Sequence, residues 1–454
     1  MKTVRYDDSL PAMIEALSEH LSAEQITAGT IVRDVSGRLS FFAKHEIDEV
    51  TTNRIETTLR KALGAYARPD RLVASGPEIG SSIFSDPTSY LQRVSGAQIR
   101  VVDRRLVGMD WLRHPALPAP PPPRIVFASL KGGVGRSTAL SVAAIHLANK
   151  GKRVLVIDLD MEAPGISTIL LDSQTLPQYG VVDALVENGL SGLDDAFMAD
   201  LVGSSRLSRH LGRIDVIPAF GLSSRANPAD VLGKLARAYT EDLDSQGNTL
   251  SILDQVKAIV DSFSEDSRYD AILLDARAGL HETAASAILG LGADVLFFGL
   301  NEEQTFSGYE ALFSHFHRIQ ADTPIDWLSQ ITMVHAKATG TAEDHALFAD
   351  RCKALFVSSD LVKMRNQIDA VFIPAEPFND VPWEDDQVSD SLPELENSFD
   401  ESQLIAILED ERFKHYSPQH RSELTLPNIY ASSFGTFLDW IDETIAAAGE
   451  HGEG

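Results

Sequence analysis

A glycine-rich loop between an apolar run and a helical pattern is the feature that most limits how this chain can fold. Residues Ile125 to Leu130 are largely apolar over the length of one buried strand. The loop after them has little side-chain bulk because three of its six residues are glycine; it comprises Lys131, Gly132, Gly133, Val134, Gly135 and Arg136. Glycines let consecutive N–H groups turn toward one point. A helix that begins at Ser137 and Thr138 adds the partial positive charge of its N-terminus. The stretch therefore predicts a cradle for phosphate groups.

Acidic residues end the next strand pattern along the chain. Helical spacing continues from Ser137 to Lys150, and the run Arg153 to Ile157 then predicts a strand that ends in Asp158-Leu159-Asp160. Because side chains alternate along a strand, both carboxylates point to the same side. Two interpretations stand: an acidic strand end of no special function, or carboxylates placed beside a phosphate ligand.

A second acidic strand end follows at Tyr269 to Asp275, where a buried strand precedes a turn that contains Gly279. Further apolar runs, such as Asp294 to Leu300, alternate with helical patterns, and the last helical pattern spans Tyr430 to Ala448. Strands that alternate with helices are typical of parallel sheets with crossover helices. The sequence thus predicts an α/β fold with a mostly parallel sheet flanked by helices.

The loop resembles the phosphate-binding loop of the ParA/MinD family of P-loop ATPases, which carries a deviant Walker A motif. The family pattern is K-G-G-x-G-K-[ST], and this chain reads Lys131-Gly132-Gly133-Val134-Gly135-Arg136-Ser137. Arg136 replaces the second lysine, and the K-G-G-V-G-R spelling is similar to that of a bacterial subgroup of ParA-like ATPases. The resemblance covers residues 124–375. It implies a SIMIBI-type fold with ATP and Mg²⁺ as ligands.

The same resemblance implies roles for individual residues. ATP would be bound by the loop and by the N–H of a switch glycine; these residues are Lys131, Gly132, Gly133, Val134, Gly135, Arg136, Ser137, Thr138 and Gly279. Mg²⁺ would be held by Ser137, by Asp275 through water, and by Asp158 through its water shell. Asp160 would orient the attacking water, assisted by the cations Lys131 and Arg136. Lys131 would reach the nucleotide of the opposite subunit in a dimer.

Recognition of the base is left open by the sequence. Members of the family have an asparagine that contacts adenine at the end of the strand predicted here over Trp327 to His335. His335 is the nearest residue in this chain. It is interpreted either as an adenine contact or as a histidine whose hydrogen bonds are satisfied within a turn.

The replacement of the lysine by Arg136 leaves two functions open. A guanidinium keeps the positive charge but is planar and larger than an ammonium, which changes how charge is placed around a transition state. The first hypothesis is a slow ATPase that switches between a monomer and a nucleotide-sandwich dimer to regulate a partner. The second is a nucleotide-binding switch or scaffold with negligible turnover. The first is preferred because Asp160 and Asp275 are both present.

The charge distribution limits the partners. The formal net charge is −27; of the 39 basic and 66 acidic residues, 15 of each lie within residues 1–118, so 24 basic and 51 acidic residues remain for the rest. Binding to bulk DNA needs Lys and Arg to neutralise phosphates and is not expected. No apolar run approaches the ~20 residues of a membrane span, the N-terminus lacks an apolar signal core, and the single cysteine, Cys352, excludes a disulfide framework. A cytoplasmic protein without membrane attachment is expected.

Shifts in composition divide the chain. Residues 1–114 are interpreted as a small accessory α+β domain, 115–123 as a semi-rigid proline-rich linker, and 124–454 as the ATPase domain. Within the last, residues 376–411 contain 13 acidic and no basic residues, which predicts a solvated insertion. The proline run is alternatively a ligand for a proline-binding module. A protein partner is expected to bind residues 1–114 or the acidic insertion.

Overall fold

The described part of the chain in the computed structural model comprises residues 4–76, 81–94, 97–188, 192–208, 211–243, 249–264, 268–320, 327–371 and 404–450. Its contacts divide it into two units. The small unit contains the described residues within 1–105, 310–322 and 352–401, and the large unit contains those within 106–309, 323–351 and 402–454.

The small unit is built on a five-stranded sheet. Its strands are β1 Thr30–Arg33, β2 Leu39–Phe42, β3 Val73–Ala74, β4 Tyr90–Val94 and β5 Ala97–Asp103, and the helices before residue 105 are α1 Tyr6–Ser18, α2 Ala23–Ala28 and α3 Glu49–Leu63. The strand order is β3-β2-β1-β5-β4, with β1 antiparallel to β2 and parallel to β5. The side chain of Asp48 caps α3 by accepting from the N–H of Thr51 at 2.9 Å. A separate mixed sheet is therefore present in the N-terminal region.

The large unit alternates strands and helices along most of its length. Its strands are β6 Arg124–Ser129, β7 Arg153–Asp158, β8 Gly203–Ser204, β9 Arg213–Ile217, β10 Asp242–Leu243, β11 Thr249–Leu250, β12 Ala271–Asp275, β13 Asp294–Gly299, β14 Ile331–Ala338 and β15 Leu404–Leu408. Its helices are α4 Arg136–Asn149, α5 Ile166–Leu170, α6 Val181–Asn188, α7 Asp195–Ala199, α8 Leu222–Ala226, α9 Val231–Ala238, α10 Ile252–Ser262, α11 Glu282–Gly290, α12 Glu303–Gln320, α13 Ala342–Val371 and α14 Pro427–Glu450, of which α12 and α13 end in segments grouped with the small unit. None of the helices in the described residues combines the length and apolar character that crossing a bilayer requires.

The main sheet has eight strands in the order β15-β14-β13-β6-β12-β7-β9-β8, and all neighbours are parallel except β8 and β9. The predicted fold, a mostly parallel sheet flanked by helices, is confirmed. All six residues of β6 are buried, as expected for the centre of a parallel sheet covered on both faces. Phe127 on β6 stacks on Phe298 and meets Phe437 of α14 edge-on, with ring centroids 5.9 and 6.1 Å apart. The C-terminal helix thus packs on the sheet, as its apolar spacing predicts.

Strand register places the predicted site residues together at the carboxyl ends of the strands of this sheet. β12 lies between β6 and β7, and Asp275 and Asp158 are opposite each other in the register of β12 and β7. The glycine-rich loop leaves the same end of β6. Because parallel strands present their carboxyl ends together, the loop and both acidic strand ends meet.

The proline-rich segment lies within the large unit and is hydrogen-bonded to it. The N–H of Ala116 donates to the carbonyl of Leu289 at 2.7 Å, and the N–H of Ala119 donates to that of Gly292 at 2.8 Å. Gly292 has φ +57°, and a Cβ there would lie 2.0 Å from the carbonyl oxygen of Leu117, so only glycine permits this approach. In the described residues the two units therefore divide after Arg105. The division expected at residues 114 and 115 stays a prediction about independent domains.

The predicted acidic insertion is only partly within the described residues. Residues 376–403 lie outside them. Leu404–Leu408 is the edge strand β15, which pairs in parallel with β14. The interpretation of a solvated segment is therefore wrong for these five residues, whose alternating burial serves the sheet.

Candidate functional site

The glycine-rich loop turns sharply between β6 and α4. Gly133 and Gly135 have φ of +77° and +93°, a left-handed conformation that glycine adopts without strain. A Cβ added at Gly132, Gly133 or Gly135 would meet nothing within 4 Å, so the space in front of the loop is open. Val134 is buried and belongs to the hydrophobic core. The loop is thus anchored on one side and presents bare backbone on the other.

A cleft of about 470 Å³ lies in front of this loop. The loop side of the cleft is lined by Ser129, Gly132, Gly133, Val134, Gly135, Arg136, Ser137 and Thr138. The other lining residues are Asp160, Ala163, Ala278, Phe298, Ala336, Lys337, Ile407, Leu408, Glu409, Asp410, Glu411, Phe413, Lys414 and Phe434. The cleft therefore combines a polar floor with a partly apolar wall from β15 and α14, which is a usual composition for a small-molecule site.

The two acidic strand ends lie at the floor of the site. Asp158 is fully buried and accepts hydrogen bonds from the N–H groups of Asp160 at 3.1 Å and Ile166 at 3.3 Å. Burial and the neighbouring charges of Asp275 and Asp160 raise the pKa of Asp158 well above its ordinary value. The hydroxyl of Ser137 donates to Oδ2 of Asp275 at 2.6 Å. The structure thus brings together the three residues predicted to hold Mg²⁺.

Arg136 points at these carboxylates. Its Nε lies 2.5 Å from Oδ1 of Asp275, its Nη2 lies 2.8 Å from Oδ2 of Asp160, and its Nη1 lies 3.3 Å from Oγ of Ser129. The side chain is 8% exposed. Burial alone lowers the pKa of Arg136, but the charges of Asp275 and Asp160 outweigh it and the pKa is raised. Arg136 is therefore a buried cation whose three nitrogen atoms all have partners.

Lys131 and Gly279, predicted to act on the nucleotide, are engaged by the protein itself. Nζ of Lys131 lies 2.9 Å from Oε2 of Glu302, and both side chains are about half exposed. The N–H of Gly279 donates to the carbonyl of Ser129 at 2.9 Å. Both residues lie near the loop, and their roles toward a nucleotide stay predictions.

His335 lies inside the large unit and does not line the cleft. Its ring stacks on that of Phe348 with centroids 4.2 Å apart, and its Nε2 lies 3.6 Å from Oδ2 of Asp344. Burial lowers the pKa of His335, against the opposing charge of Asp344. This arrangement does not favour an adenine contact. The alternative, a histidine with satisfied hydrogen bonds, is not met either, because Nδ1 is buried without a hydrogen-bond partner in the described part of the chain and the distance from Nε2 to Asp344 is too long for a hydrogen bond.

Sequence reasoning missed two parts of the cleft. One is the wall formed by residues 408–414, which follow β15. The other is Lys337, whose Nζ lies 2.7 Å from the carbonyl oxygen of Gly133. The acidic composition of residues 376–411 hid the short alternating pattern of β15, and no motif draws attention to a lone lysine.

Comparisons with known proteins agree with this geometry. A family model described as an AAA domain matches residues 123–219, which include β6, the loop, α4 and β7. The septum site-determining protein MinD of Helicobacter pylori is 26% identical over 166 residues, which are 36% of this chain and 48% of that protein. The matched region is thus similar to the P-loop region of ParA/MinD-like proteins. This chain spans about half the length of the curated relative.

Two solved structures are also similar to this chain. MinD of Pyrococcus horikoshii, complexed with Mg-ADP, is 18% identical with a TM-score of 0.33 and matches over 49% of this chain and 72% of its own. A Cyanothece McdA variant in an ATP complex is 15% identical with a TM-score of 0.40 and matches over 72% and 98%.

The donor set at the foot of the glycine-rich loop suits Mg²⁺. Ser137 and Asp275 supply hydroxyl and carboxylate oxygens at the foot of the loop, and oxygen is the ligand that Mg²⁺ prefers. Within the described residues, no three His, Cys, Asp or Glu side chains are placed to hold a metal by themselves. An ion here would therefore take its other ligands from phosphate and water, as Mg²⁺ commonly does.

Proposed function

We propose that the protein binds Mg²⁺-ATP in this cleft, hydrolyses it slowly, and switches between a monomer and a nucleotide-sandwich dimer to regulate a partner. The observation that carries the proposal is the open space in front of Gly132, Gly133 and Gly135, with the Ser137–Asp275 pair at its foot. Backbone N–H groups of the loop and the N-terminus of α4 would bind the phosphates. Similarity to MinD supports the same function.

Ser137 and Asp275 would hold Mg²⁺, with Asp158 behind them. When bound, the ion would neutralise charge on the phosphate oxygens. The fully buried position of Asp158 and Asp275 fixes both carboxylates against the loop. Ser137 is the second residue of α4, so its backbone position is set by the first turn of that helix.

Asp160 is proposed to orient the attacking water. Its Oδ2 accepts from Arg136 at 2.8 Å and its Oδ1 accepts from the N–H of Ala163 at 3.4 Å. The guanidinium competes with a water molecule for this carboxylate oxygen. The engagement of Asp160 by Arg136 therefore supports slow turnover.

The alternative is a nucleotide-dependent scaffold or switch that does not hydrolyse ATP. The same Arg136 contacts favour it, since the guanidinium bonds both the proposed water-orienting residue and the proposed Mg²⁺ carboxylate. The partner under either function is a protein that binds the N-terminal region or the acidic segment.

A single-turnover experiment separates the two functions. The experiment compares wild type, Asp160→Ala and the control Glu409→Ala, each mixed in excess with radiolabelled ATP and Mg²⁺. The control removes an exposed carboxylate from the same cleft. We expect slow hydrolysis by wild type and the control, and at least a roughly hundredfold slower reaction in Asp160→Ala with ATP still bound.

Wild type that binds ATP without hydrolysing it would favour the scaffold. Equal rates in wild type and Asp160→Ala would remove the role given to Asp160. Absence of ATP binding by wild type would contradict both functions.

A further inference from the structure

The backbone of Lys337 is unusual for a lysine. In the register of β14 with β15, His335 pairs with Ala406 and Ala338 pairs with Leu408, so β14 contains one extra residue at this point. Lys337 has φ +53° and, among the described residues, is the one non-glycine residue with a positive φ. An L-residue in this conformation costs roughly 1 kcal/mol. Bulges and strained residues of this kind are over-represented beside functional sites.

The bulge directs the Lys337 side chain to the glycine-rich loop. Ala336 and Ala338 on either side are buried, whereas Lys337 is exposed. Its Nζ donates to the carbonyl oxygen of Gly133 at 2.7 Å, and Lys337 lines the cleft. An ammonium has three N–H donors, so two remain beyond this bond. Residues separated by 204 positions in the chain are thus joined at the mouth of the site.

The charges that line the cleft leave Lys337 in a special position. Among the residues that the structure describes, three cations line it: Arg136, Lys337 and Lys414. Arg136 is bonded to two carboxylates, and Nζ of Lys414 lies 3.4 Å from Oε1 of Glu411. The bond of Lys337 is to an uncharged carbonyl, and in the described part of the chain its ammonium has no carboxylate partner. Among the cations that line the cleft, Lys337 can therefore bind an anion without first breaking an ion pair.

We propose that Lys337 binds the phosphate chain of the nucleotide. It would supply the positive charge that Arg136 does not offer to the phosphates, because Arg136 is paired with two carboxylates. The inference rests on the proposed function, because it requires a nucleotide in the cleft. The flexible side chain of Lys337 lets its ammonium exchange the Gly133 carbonyl for a phosphate oxygen. The new bond would be the stronger one, because hydrogen bonds between charged groups are stronger than those to an uncharged carbonyl. Lys337 is thereby assigned as a nucleotide-binding residue outside the loop motif.

Comparison of ATP with adenosine tests the assignment. Calorimetric titrations at constant Mg²⁺ are made on wild type, Lys337→Met, Lys337→Arg and the control Lys414→Met, which removes a lysine from the same cleft. We expect Lys337→Met to weaken ATP binding by roughly tenfold or more and to leave adenosine binding within about twofold. Lys337→Arg should retain most of the ATP affinity, and Lys414→Met should have the smaller effect.

Three outcomes overturn the assignment. Equal weakening of ATP and adenosine in Lys337→Met would mean a role in loop structure or base binding. Unchanged ATP affinity in that variant would mean no role in binding. A larger loss in Lys414→Met would move the assignment to that residue. Wild type that binds neither ligand would contradict the proposed function itself, and with it this inference. If wild type binds ATP, a negative result for the Lys337 variants contradicts only the role of Lys337.

Discussion

A guanidinium at position 136 spreads its donors over three nitrogen atoms, which lets it bond two carboxylates and a hydroxyl that lie on different sides of the side chain. Arg136 contacts Asp275, Asp160 and Ser129 through three different nitrogen atoms. Ser129 and Asp275 end their strands and Asp160 follows a third, so one side chain joins the carboxyl ends of three neighbouring strands. A lysine has one nitrogen on a flexible stem and would satisfy fewer of these groups.

The first prediction concerns the variant Arg136→Lys. If the guanidinium slows hydrolysis by holding Asp160, the shorter reach of a point charge should release that carboxylate, and the single-turnover rate constant should rise by roughly tenfold or more. Quenched single-turnover assays measure it, with Arg136→Gln as a control that removes the charge and should bind ATP more weakly. A rate at or below that of wild type, in protein of unchanged thermal stability, would show that Arg136 does not slow the reaction.

At the scale of elements, the segment before β6 is held by polar contacts that are buried at Asp110 and partly exposed at Arg113. The carboxylate of Asp110 accepts from the N–H of Leu253 at 2.8 Å near the start of α10. Its own N–H donates to Glu282 at 2.8 Å, and Arg113 forms an ion pair with Asp254 at 2.9 Å. These contacts fix the direction in which the chain enters the central strand.

The pH dependence of stability should report Asp110. Burial raises its pKa from 3.8 to about 6, helped by Glu282 and opposed by Ser251, Leu253 and Arg113. Because the native state binds this proton more tightly than the unfolded state, the free energy of unfolding should fall as pH rises from about 4 to 6. The loss attributable to Asp110 is on the order of 3 kcal/mol above pH 6.

Urea unfolding of wild type and Asp110→Asn from pH 4 to 7 measures this effect. Asparagine keeps an acceptor for the Leu253 N–H but does not ionise, so the variant should lose less stability across the interval than wild type. Parallel curves for the two proteins would mean that Asp110 titrates normally in the native state.

At the scale of the whole molecule, a net charge of −27 opposes self-association. Lys131 lies at the rim of the loop and pairs with Glu302 at 2.9 Å, with the two side chains 45% and 46% exposed. An exposed pair of this kind contributes little stability. Lys131 can therefore exchange Glu302 for a nucleotide on another subunit with little loss of stability. This exchange needs the nucleotide to be bound.

We expect dimerisation to require ATP and Lys131. Size exclusion with light scattering, in a non-hydrolysable ATP analogue, should show a dimer for wild type, and salt should favour it by screening the net charge. Lys131→Ala should lose the dimer more than it loses ATP affinity. Glu302→Gln, which frees Lys131, should dimerise at least as well as wild type.

A protein that stays monomeric with the analogue bound would contradict the dimer. A Lys131→Ala variant that dimerises as readily as wild type would contradict the role of Lys131 across the interface.

The sequence by itself determined the central β6–loop–α4 unit, the acidic strand ends and the parallel character of the sheet. The structure places α4 at Arg136–Asn149 and β12 at Ala271–Asp275, within a few residues of the predicted helix from Ser137 and strand from Tyr269. The reason is that side-chain period, glycine content and helix capping are properties of neighbouring residues. The order in which parallel strands present their ends then brings Ser137 and Asp275 together.

Only the tertiary structure decided where the charges point. The bonds from Arg136 to Asp275 and from Lys337 to Gly133 join residues 139 and 204 positions apart, and no local pattern encodes such a pairing. The strand β15 likewise forms because β14 offers an open edge to a short alternating run. Sequence pattern fixes which face of an element is apolar; the partners of a long charged side chain depend on which other elements the fold brings within its reach.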